Sequence, residues 1–231
     1  MPPERKKEME MEMAKKIVVL HTGPVTVQPL ASAKDEYFGQ IEWVNLVDDS
    51  LLKDVMRAGQ VTPAVRKRLF GYALIAEQMG ADAILNACSS VGEAADDLVG
   101  LLSIPVVKID NRMAERAVEL GERIGVLATV KTTLDPTVRL IEKKANERGK
   151  AIRVERFLCA EAFEAVLSGD GARHDELLTR AVKDMAERND VLVLAQVSMA
   201  RLTARLADVT VPVLSSPKLG MEELAEVVAG L

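Results

Sequence analysis

The chain contains 231 residues, of which 48% are hydrophobic and 28% charged, so it can bury a sizeable core and is not expected to be disordered. Its 30 Lys and Arg against 35 Asp and Glu give a formal net charge of −5, which argues against a nucleic-acid-binding surface. Two cysteines cannot build a disulfide framework, and no apolar run fits a membrane span or a signal peptide, so we expect a soluble, cytoplasmic protein without a membrane partner.

Apolar runs and helical patterns alternate along the chain, which predicts an α/β fold with parallel sheets. Residues 1–16, rich in Met, Glu and Lys, should form a flexible tail. In the first part of the chain we predict strands at 17–20, 41–47, 82–87 and 104–109, helices at 51–58, 63–79 and 93–102, and a polar loop at 34–40. In the second part we predict strands at 124–128, 151–157, 190–195 and 211–214, and helices at 111–120, 136–148, 175–188, 201–207 and 218–228.

Three segments recur at nearly the same spacing, which indicates an internal duplication. Residues 82–90 match 190–198 at an offset of 108 (190 − 82), and two further apolar segments match at an offset of 107: 17–22 with 124–129, and 104–107 with 211–214. We therefore predict two pseudo-symmetric, Rossmann-like halves with parallel sheets. The first would comprise residues 17–110 and 212–231, and the second residues 111–211, with Cys88 and Gln196 at equivalent positions.

Cys88 follows a predicted strand and precedes Ser89, Ser90 and a predicted helix. Open α/β sheets bind ligands at the carboxyl edge of their strands, and a helix N-terminus favours a thiolate. Cys88 is therefore a candidate for proton transfer or for nucleophilic attack, although a free cysteine is also a common core residue. Cys159 follows a strand without a small-residue turn, so we expect it to be buried.

Hydroxyl groups gather at the predicted carboxyl ends of the strands and in the loops that follow. Each could cap a helix or bind an anion, and their doubling by the repeat favours a carboxylate site. These residues are Thr22, Ser89, Ser90, Thr129, Thr132, Thr133 and Ser198. His21, at the end of the first strand, is an acid–base candidate and equally a candidate structural histidine.

Cofactor motifs are absent from the sequence. No Gly-x-Gly-x-x-Gly or P-loop occurs, and two distant histidines without paired cysteines do not support a zinc site, so we expect neither a cofactor nor a metal. His174 lies in a polar stretch that indicates a surface position, and Lys131 is a loop lysine that could offset substrate charge or simply be solvated.

Several motifs resemble those of the aspartate/glutamate racemase superfamily. Ala87-Cys88-Ser89-Ser90 resembles its first cysteine motif, residues 124–129 with Thr132 and Thr133 are similar to its mid-chain strand and Thr-rich loop, and residues 190–199 resemble the strand that carries its second cysteine. The superfamily includes amino-acid and hydantoin racemases, maleate isomerase and arylmalonate decarboxylase. The resemblance covers nearly the whole chain from Ile17. It implies a cofactor-independent enzyme with an active site between two α/β halves, in which one cysteine from each half transfers a proton.

The chain departs from that pattern at the second cysteine, where it has Gln196, and at the neighbouring histidine, where it has Ser198. An amide is not a proton-transfer base at ordinary pH, so a symmetric two-thiol racemisation would require Cys159 or His21 to reach the other face. One thiol suffices for protonation after decarboxylation, for addition to an activated alkene, or for a one-sided tautomerisation.

The residues and the resemblance together imply an isomerase acting at the carbon next to the carboxylate of a small amino, carboxylic or dicarboxylic acid. Cys88 would be the acid–base group or nucleophile and Gln196 a hydrogen-bonding residue. The expected substrate contacts are Thr22, Ser89, Ser90, Thr129, Thr132 and Ser198, with His21 and Thr133 as further candidates. Alternatives are a single-cysteine decarboxylase or cis–trans isomerase of the same superfamily, and a non-catalytic carboxylate-binding protein. The resemblance is also compatible with a homodimer.

Overall fold

The structure is a computed structural model and describes residues 14–231. The strands are β1 Lys15–His21, β2 Ile41–Val47, β3 Ala83–Asn86, β4 Val106–Lys108, β5 Arg123–Ala128, β6 Arg153–Leu158, β7 Val191–Leu194 and β8 Val213–Ser215. The α-helices are α1 Val27–Tyr37, α2 Asp49–Ala58, α3 Pro63–Gln78, α4 Gly92–Asp96, α5 Asn111–Leu120, α6 Lys131–Glu147, α7 Ala160–Leu167, α8 Gly171–Ala186 and α9 Ser216–Ala229. Segments of 3₁₀-helix cover Pro24–Thr26, Ser89–Val91 and Val197–Arg205.

The strands form two four-stranded sheets with parallel neighbours, in the orders β2-β1-β3-β4 and β6-β5-β7-β8. The two orders are the same when strands are numbered within each half. Backbone bonds repeat as well, because Ala87 N donates to Leu20 O and Ala195 N donates to Leu127 O, each at 3.0 Å. The structure thus confirms the predicted α/β fold with two matching parallel-sheet halves.

The described chain divides into two compact units. The first comprises the residues up to Lys108 together with Met221–Leu231, and the second comprises Ile109–Gly220. The return to the first unit therefore comes later than the predicted boundary near Pro212, because β8 pairs with β7 and completes the second sheet. Residues 1–13 of the predicted tail lie outside the described residues, whereas Lys15 and Lys16 begin β1.

Each sheet buries apolar side chains against its own helices. In the first unit, Leu20 and Ile84 pack with Val65 and Leu69 of α3. In the second unit, alternate residues of β5 and β7 point into separate clusters on opposite faces of the sheet. Burial on both faces explains why these strands are nearly continuous apolar runs in the sequence.

Several helices differ from the sequence-based expectation. The predicted loop at 34–40 is wrong, because α1 extends to Tyr37; only Leu30 of this helix is buried, so its apolar pattern is weak. α6 begins at Lys131, five residues before Pro136, so this proline lies inside the helix rather than at its start. α8 begins at Gly171, where the Asp170 side chain accepts from Arg173 N at 2.9 Å.

Candidate active site

Cys88 and Gln196 occupy equivalent backbone positions at the carboxyl ends of β3 and β7. Cys88 has φ −138° and ψ 117° before the 3₁₀ segment Ser89–Val91, and Gln196 has φ −125° and ψ 137° before Val197–Arg205. Their carbonyl oxygens each accept from the backbone N–H three residues later, at 3.3 Å and 2.9 Å respectively. The duplication therefore presents a thiol at one sheet edge and a carboxamide at the matching place on the other.

Small polar residues surround the turn that carries Cys88. Cys88 is half-buried and packs against the core of the first unit, and Asn86 Nδ2 donates to Cys88 O at 3.0 Å. Asn86 was not predicted as a site residue, although a polar side chain closing an apolar strand was visible in the sequence. Two candidate contacts of this edge, Thr22 and Ser89, are 5% and 7% exposed, and Ser90 is 2% exposed.

The helix after the Cys88 turn is shorter than predicted. α4 ends at Asp96 rather than near Leu102, and Gly100 adopts a positive φ of 84° within the expected helix. A five-residue helix aligns few peptide dipoles, so the dipole argument for a Cys88 thiolate is weaker than the sequence indicated.

His21 has a hydrogen-bonding partner on each ring nitrogen. Trp43 Nε1 donates to Asn45 Oδ1 at 3.2 Å, so this acceptor also receives the Nε2–H of His21, at 2.9 Å. Nδ1 then accepts from Thr26 Oγ1 at 2.6 Å. Burial lowers the pKa of His21, and the bond to Asn45 offsets this effect only in part. The geometry thus favours the structural alternative for His21 over the acid–base one.

Gln196 is held by Thr129 at the end of β5. Thr129 N and Thr129 Oγ1 donate to Gln196 Oε1 at 2.7 Å and 2.9 Å. A backbone N–H can only donate, so the atom facing it must be the amide oxygen. Among residues 14–231, Gln196 Nε2 makes no further hydrogen bond. Its two protons are therefore oriented away from Thr129 and available to an acceptor.

The other predicted contacts of the second unit follow the same sheet edge. Thr132 and Thr133 lie in the first turn of α6 rather than in a loop, and Thr132 Oγ1 is buried without a hydrogen-bond partner among the described residues. Ser198 lies in the 3₁₀ segment after Gln196. Lys131 is exposed and paired with Asp135, which agrees with the solvated alternative.

Cys159 occupies a different position from the two paired sites. It follows β6, and Cys159 N donates to Ala128 O at 2.8 Å, just as Asp48 N donates to His21 O after β2 at 3.0 Å. The thiol is half-buried, and burial raises its pKa. A raised pKa leaves less thiolate at neutral pH, which disfavours Cys159 as a base.

An ionic cluster around a buried carboxylate lies beside the 3₁₀ segment Val197–Arg205 and was not indicated by the sequence. His174 and Asp175 are 4% and 6% exposed, so the predicted surface position of His174 is wrong. Asp175 pairs with Arg201 at 2.7 Å and with Arg205 at 3.5 Å. The polar composition of this stretch concealed the cluster, because its partners come from a segment more than twenty residues away in the sequence.

Neither a metal centre nor a membrane span is found among residues 14–231. No three or more His, Cys, Asp and Glu side chains in this range are grouped to hold a metal ion. No helix in the same range has the length and apolar character needed to cross a bilayer.

Comparisons with known proteins identify the architecture. The family model described as Asp/Glu/Hydantoin racemase matches residues 14–224. A glutamate racemase from Bacillus anthracis superposes with a TM-score of 0.71 at 21% identity, covering 94% of this chain and 82% of its own. An aspartate racemase from Picrophilus torridus has a TM-score of 0.71 at 14% identity, covering 94% and 95%. An allantoin racemase from Klebsiella pneumoniae has a TM-score of 0.68 at 14% identity, covering 94% and 89%. The match over most of its length shows that the chain belongs to the Asp/Glu/Hydantoin racemase family.

Proposed function

We propose that this protein is a cofactor-independent enzyme that acts at the carbon next to a carboxylate through one thiol, Cys88. Gln196 donates hydrogen bonds to the substrate and takes no proton. Family membership supports an isomerase, and the related structures are racemases of glutamate, aspartate and allantoin. A small carboxylate is accordingly the proposed substrate. A cyclic amide such as allantoin is a second class of compound to test.

The observation that carries this proposal is the direction of the Gln196 carboxamide. The amide oxygen accepts two hydrogen bonds from Thr129. The carboxamide therefore presents its N–H groups at the position equivalent to that of the Cys88 thiol. An NH₂ group stabilises a developing negative charge on oxygen, and it cannot accept a proton at ordinary pH. The two matching positions therefore offer one proton carrier and one oxyanion donor.

The proposed reaction starts with the Cys88 thiolate. The thiolate removes the proton from the substrate carbon, and the C–H electron pair moves into the carboxylate to give an enediolate. Hydrogen bonds from Gln196 Nε2 stabilise the enediolate, with further donors proposed from Thr129, Thr132, Ser198, Thr22, Ser89 and Ser90. The Cys88 thiol then reprotonates the same face of the anion, which regenerates the substrate and is observed as hydrogen exchange. A net isomerisation by this one thiol requires the proton to return at a different, conjugated carbon, as in a one-sided tautomerisation.

Decarboxylation is a second candidate reaction, and Gln196 favours it. Loss of CO₂ from a malonate breaks the C–C bond and leaves its electron pair in the same enediolate. The Cys88 S–H group then protonates that carbon, so no second thiol is needed. A non-catalytic carboxylate-binding protein would use the same donors without requiring a reactive thiol.

The test combines thiol reactivity with isotope exchange. We expect iodoacetamide to alkylate Cys88 with an apparent pKa below about 8.5, the value of a free cysteine. In D₂O, proton NMR should show hydrogen exchange at the reacting carbon of at least one test compound: D- or L-glutamate, D- or L-aspartate, or allantoin. For the decarboxylase alternative, the corresponding result is loss of CO₂ from phenylmalonate. Cys88→Ser should lower that rate by about 100-fold or more, as removal of a general acid–base group does.

Cys159→Ser is the matched control, because it removes the other half-buried thiol and should leave the rate unchanged. A Cys88 that resists alkylation until the protein unfolds would make it a core residue and end the proposal. Alkylation blocked by one of these compounds without any turnover would support the non-catalytic alternative.

A further inference from the structure

We propose that His174, Asp175 and Arg201 form a positioning cluster that fixes the turn Gln196–Ser198 and so orients the Gln196 carboxamide. The cluster joins the first turn of α8 to the 3₁₀ segment Val197–Arg205. The inference rests on the proposed function for the role of Gln196. None of the three residues was a candidate from the sequence.

Arg201 connects the helix to the turn. Its Nη2 and Nε donate to the two oxygens of Asp175 at 2.7 Å and 3.4 Å, and its Nη1 donates to Ser198 O at 3.3 Å. A guanidinium group is planar, so a forked bond to the carboxylate also fixes the direction of Nη1. The position of the Ser198 carbonyl is thereby tied to α8.

His174 holds the carboxylate from a second side. Its Nδ1 lies 2.9 Å from Asp175 Oδ1 and 3.1 Å from Arg201 Nη2. The carboxylate only accepts and the guanidinium only donates, so Nδ1 has a partner in either tautomer of the neutral ring. The ring nitrogen of His174 is therefore paired beside both Asp175 and Arg201.

Asp175 remains an anion in this setting. Burial acts to raise the pKa of Asp175, but the hydrogen bonds with Arg201 and His174 outweigh it and hold that pKa below its ordinary value. A buried carboxylate with several directional partners is a well-fixed anchor, and loss of Arg201 would leave Asp175 with only the longer ionic contact to Arg205.

The turn is thus held at both ends. Thr129 binds the side-chain oxygen of Gln196 from the end of β5, and Arg201 binds the backbone of Ser198 from the other direction. A carboxamide has a single useful orientation here, with Nε2 facing away from Thr129. We expect that orientation to relax when Arg201 no longer restrains the turn.

The backbone amide of Thr129 reports on this geometry directly, because its acceptor is Gln196 Oε1 at 2.7 Å. Hydrogen exchange of this amide can be followed by NMR in the full-length protein without any substrate. Arg201→Met should accelerate it by roughly tenfold, the effect of losing one charge-assisted hydrogen bond. Gln196→Ala removes the acceptor and sets the upper limit of the acceleration.

Arg205→Met is the matched control. Arg205 belongs to the same 3₁₀ segment and lies 3.5 Å from Asp175 Oδ2, but among the described residues it makes no hydrogen bond to the turn Gln196–Ser198. It should leave Thr129 exchange within about twofold of the unmodified protein, the scale of a surface ion pair. Added methylguanidinium should restore slow exchange in Arg201→Ala.

Three outcomes would overturn the inference. Thr129 exchange could stay unchanged in Arg201→Met while Gln196→Ala accelerates it. The amide of Val126, buried in β5, could accelerate equally with that of Thr129, which would indicate general destabilisation. Gln196→Ala itself could have no effect, and the bond to Thr129 would then be absent in solution. An unreactive Cys88 would instead end the proposed function and leave this result standing.

Discussion

Cys88 and Gln196 share a backbone geometry but differ in the chemistry of their side chains. The thiol can exchange a proton, whereas the carboxamide, held by Thr129, can only donate hydrogen bonds from Nε2. The sequence identified both positions through the repeat, but not the direction of the amide. That direction depends on a contact between residues 129 and 196, at the ends of two different strands, which no local pattern encodes.

Thr129→Val tests that contact at the level of one hydroxyl. The variant keeps the backbone donor to Gln196 and loses the Oγ1 donor, so the carboxamide should be less well oriented. We expect a roughly threefold to tenfold slower isotope exchange in the NMR assay and a loss of about 1 kcal/mol in the free energy of unfolding. An unchanged exchange rate would show that Gln196 is not oriented by this hydroxyl.

Thr137→Val in α6 provides the opposite comparison. Thr137 is fully buried in α6, and its Oγ1 has no hydrogen-bond partner among the described residues. Replacing that hydroxyl by a methyl group of similar size should raise the free energy of unfolding by about 1 kcal/mol, measured by urea denaturation. A destabilised variant would reveal a hydrogen bond that the hydroxyl makes in solution.

An aspartate precedes the third strand of each half, β3 or β7, and its side chain bonds to the first strand of the same half, β1 or β5. Asp82 Oδ2 accepts from Lys16 N at 2.7 Å, and Asp190 Oδ2 accepts from Arg123 N at 2.8 Å. The side-chain bonds of Arg123, followed by its backbone N–H, lower the pKa of Asp190 from 3.8 to about 2. These bonds fix the register of neighbouring strands at their amino ends.

Asp190→Asn should therefore destabilise the protein in a pH-dependent way. The folded-state pKa is lowered, so the contribution of the carboxylate is present above pH 3.8 and is lost as the pH falls toward about 2. The difference in free energy of unfolding between the two proteins should be largest near neutral pH and shrink through this range. A difference independent of pH would show that the charge of Asp190 is not responsible.

Two glycines in regular elements should respond oppositely to alanine. A Cβ at Gly125 in β5 would lie 2.5 Å from Leu192 Cδ2 and 2.8 Å from Met185 Cε, so Gly125→Ala should cost about 1–3 kcal/mol by overpacking. A Cβ at Gly71 in α3 would meet nothing within 4 Å, so Gly71→Ala should stabilise the helix by about 0.5–1 kcal/mol. Urea denaturation of both variants checks the pair, and equal signs would contradict it.

The sequence located the strands better than the helices, and β2, whose side chains are partly exposed, has the predicted bounds 41–47. Continuous apolar runs located β1, β3, β5 and β7, because such strands show no alternation to misinterpret. α1 was missed because it buries only Leu30. The predicted start of α6 at Pro136 is wrong because a proline is common at the start of a helix, whereas this one lies more than one turn inside. The ionic cluster around Asp175 escaped because its partners meet only in the folded chain.

The internal duplication gives the two sheets the same backbone arrangement but different side chains at their carboxyl edges. The backbone bonds, the strand order and the turn conformations repeat, whereas the side chains that end the matching strands do not. Backbone geometry comes from strand pairing, so it survives a change from cysteine to glutamine. The chemistry of each edge can therefore diverge without loss of the fold.

The close approach of Gly220 to Ile109 has a consequence for how the chain is assembled. A Cβ at Gly220 would lie 2.3 Å from Ile109 O, so the two backbones touch there, and these residues are the last and the first of the second unit. The second unit is thus an insertion whose two ends meet. Lys108 and Met221 are each one peptide bond beyond that contact, so the first unit could be closed on itself by a short linker in place of the whole insert.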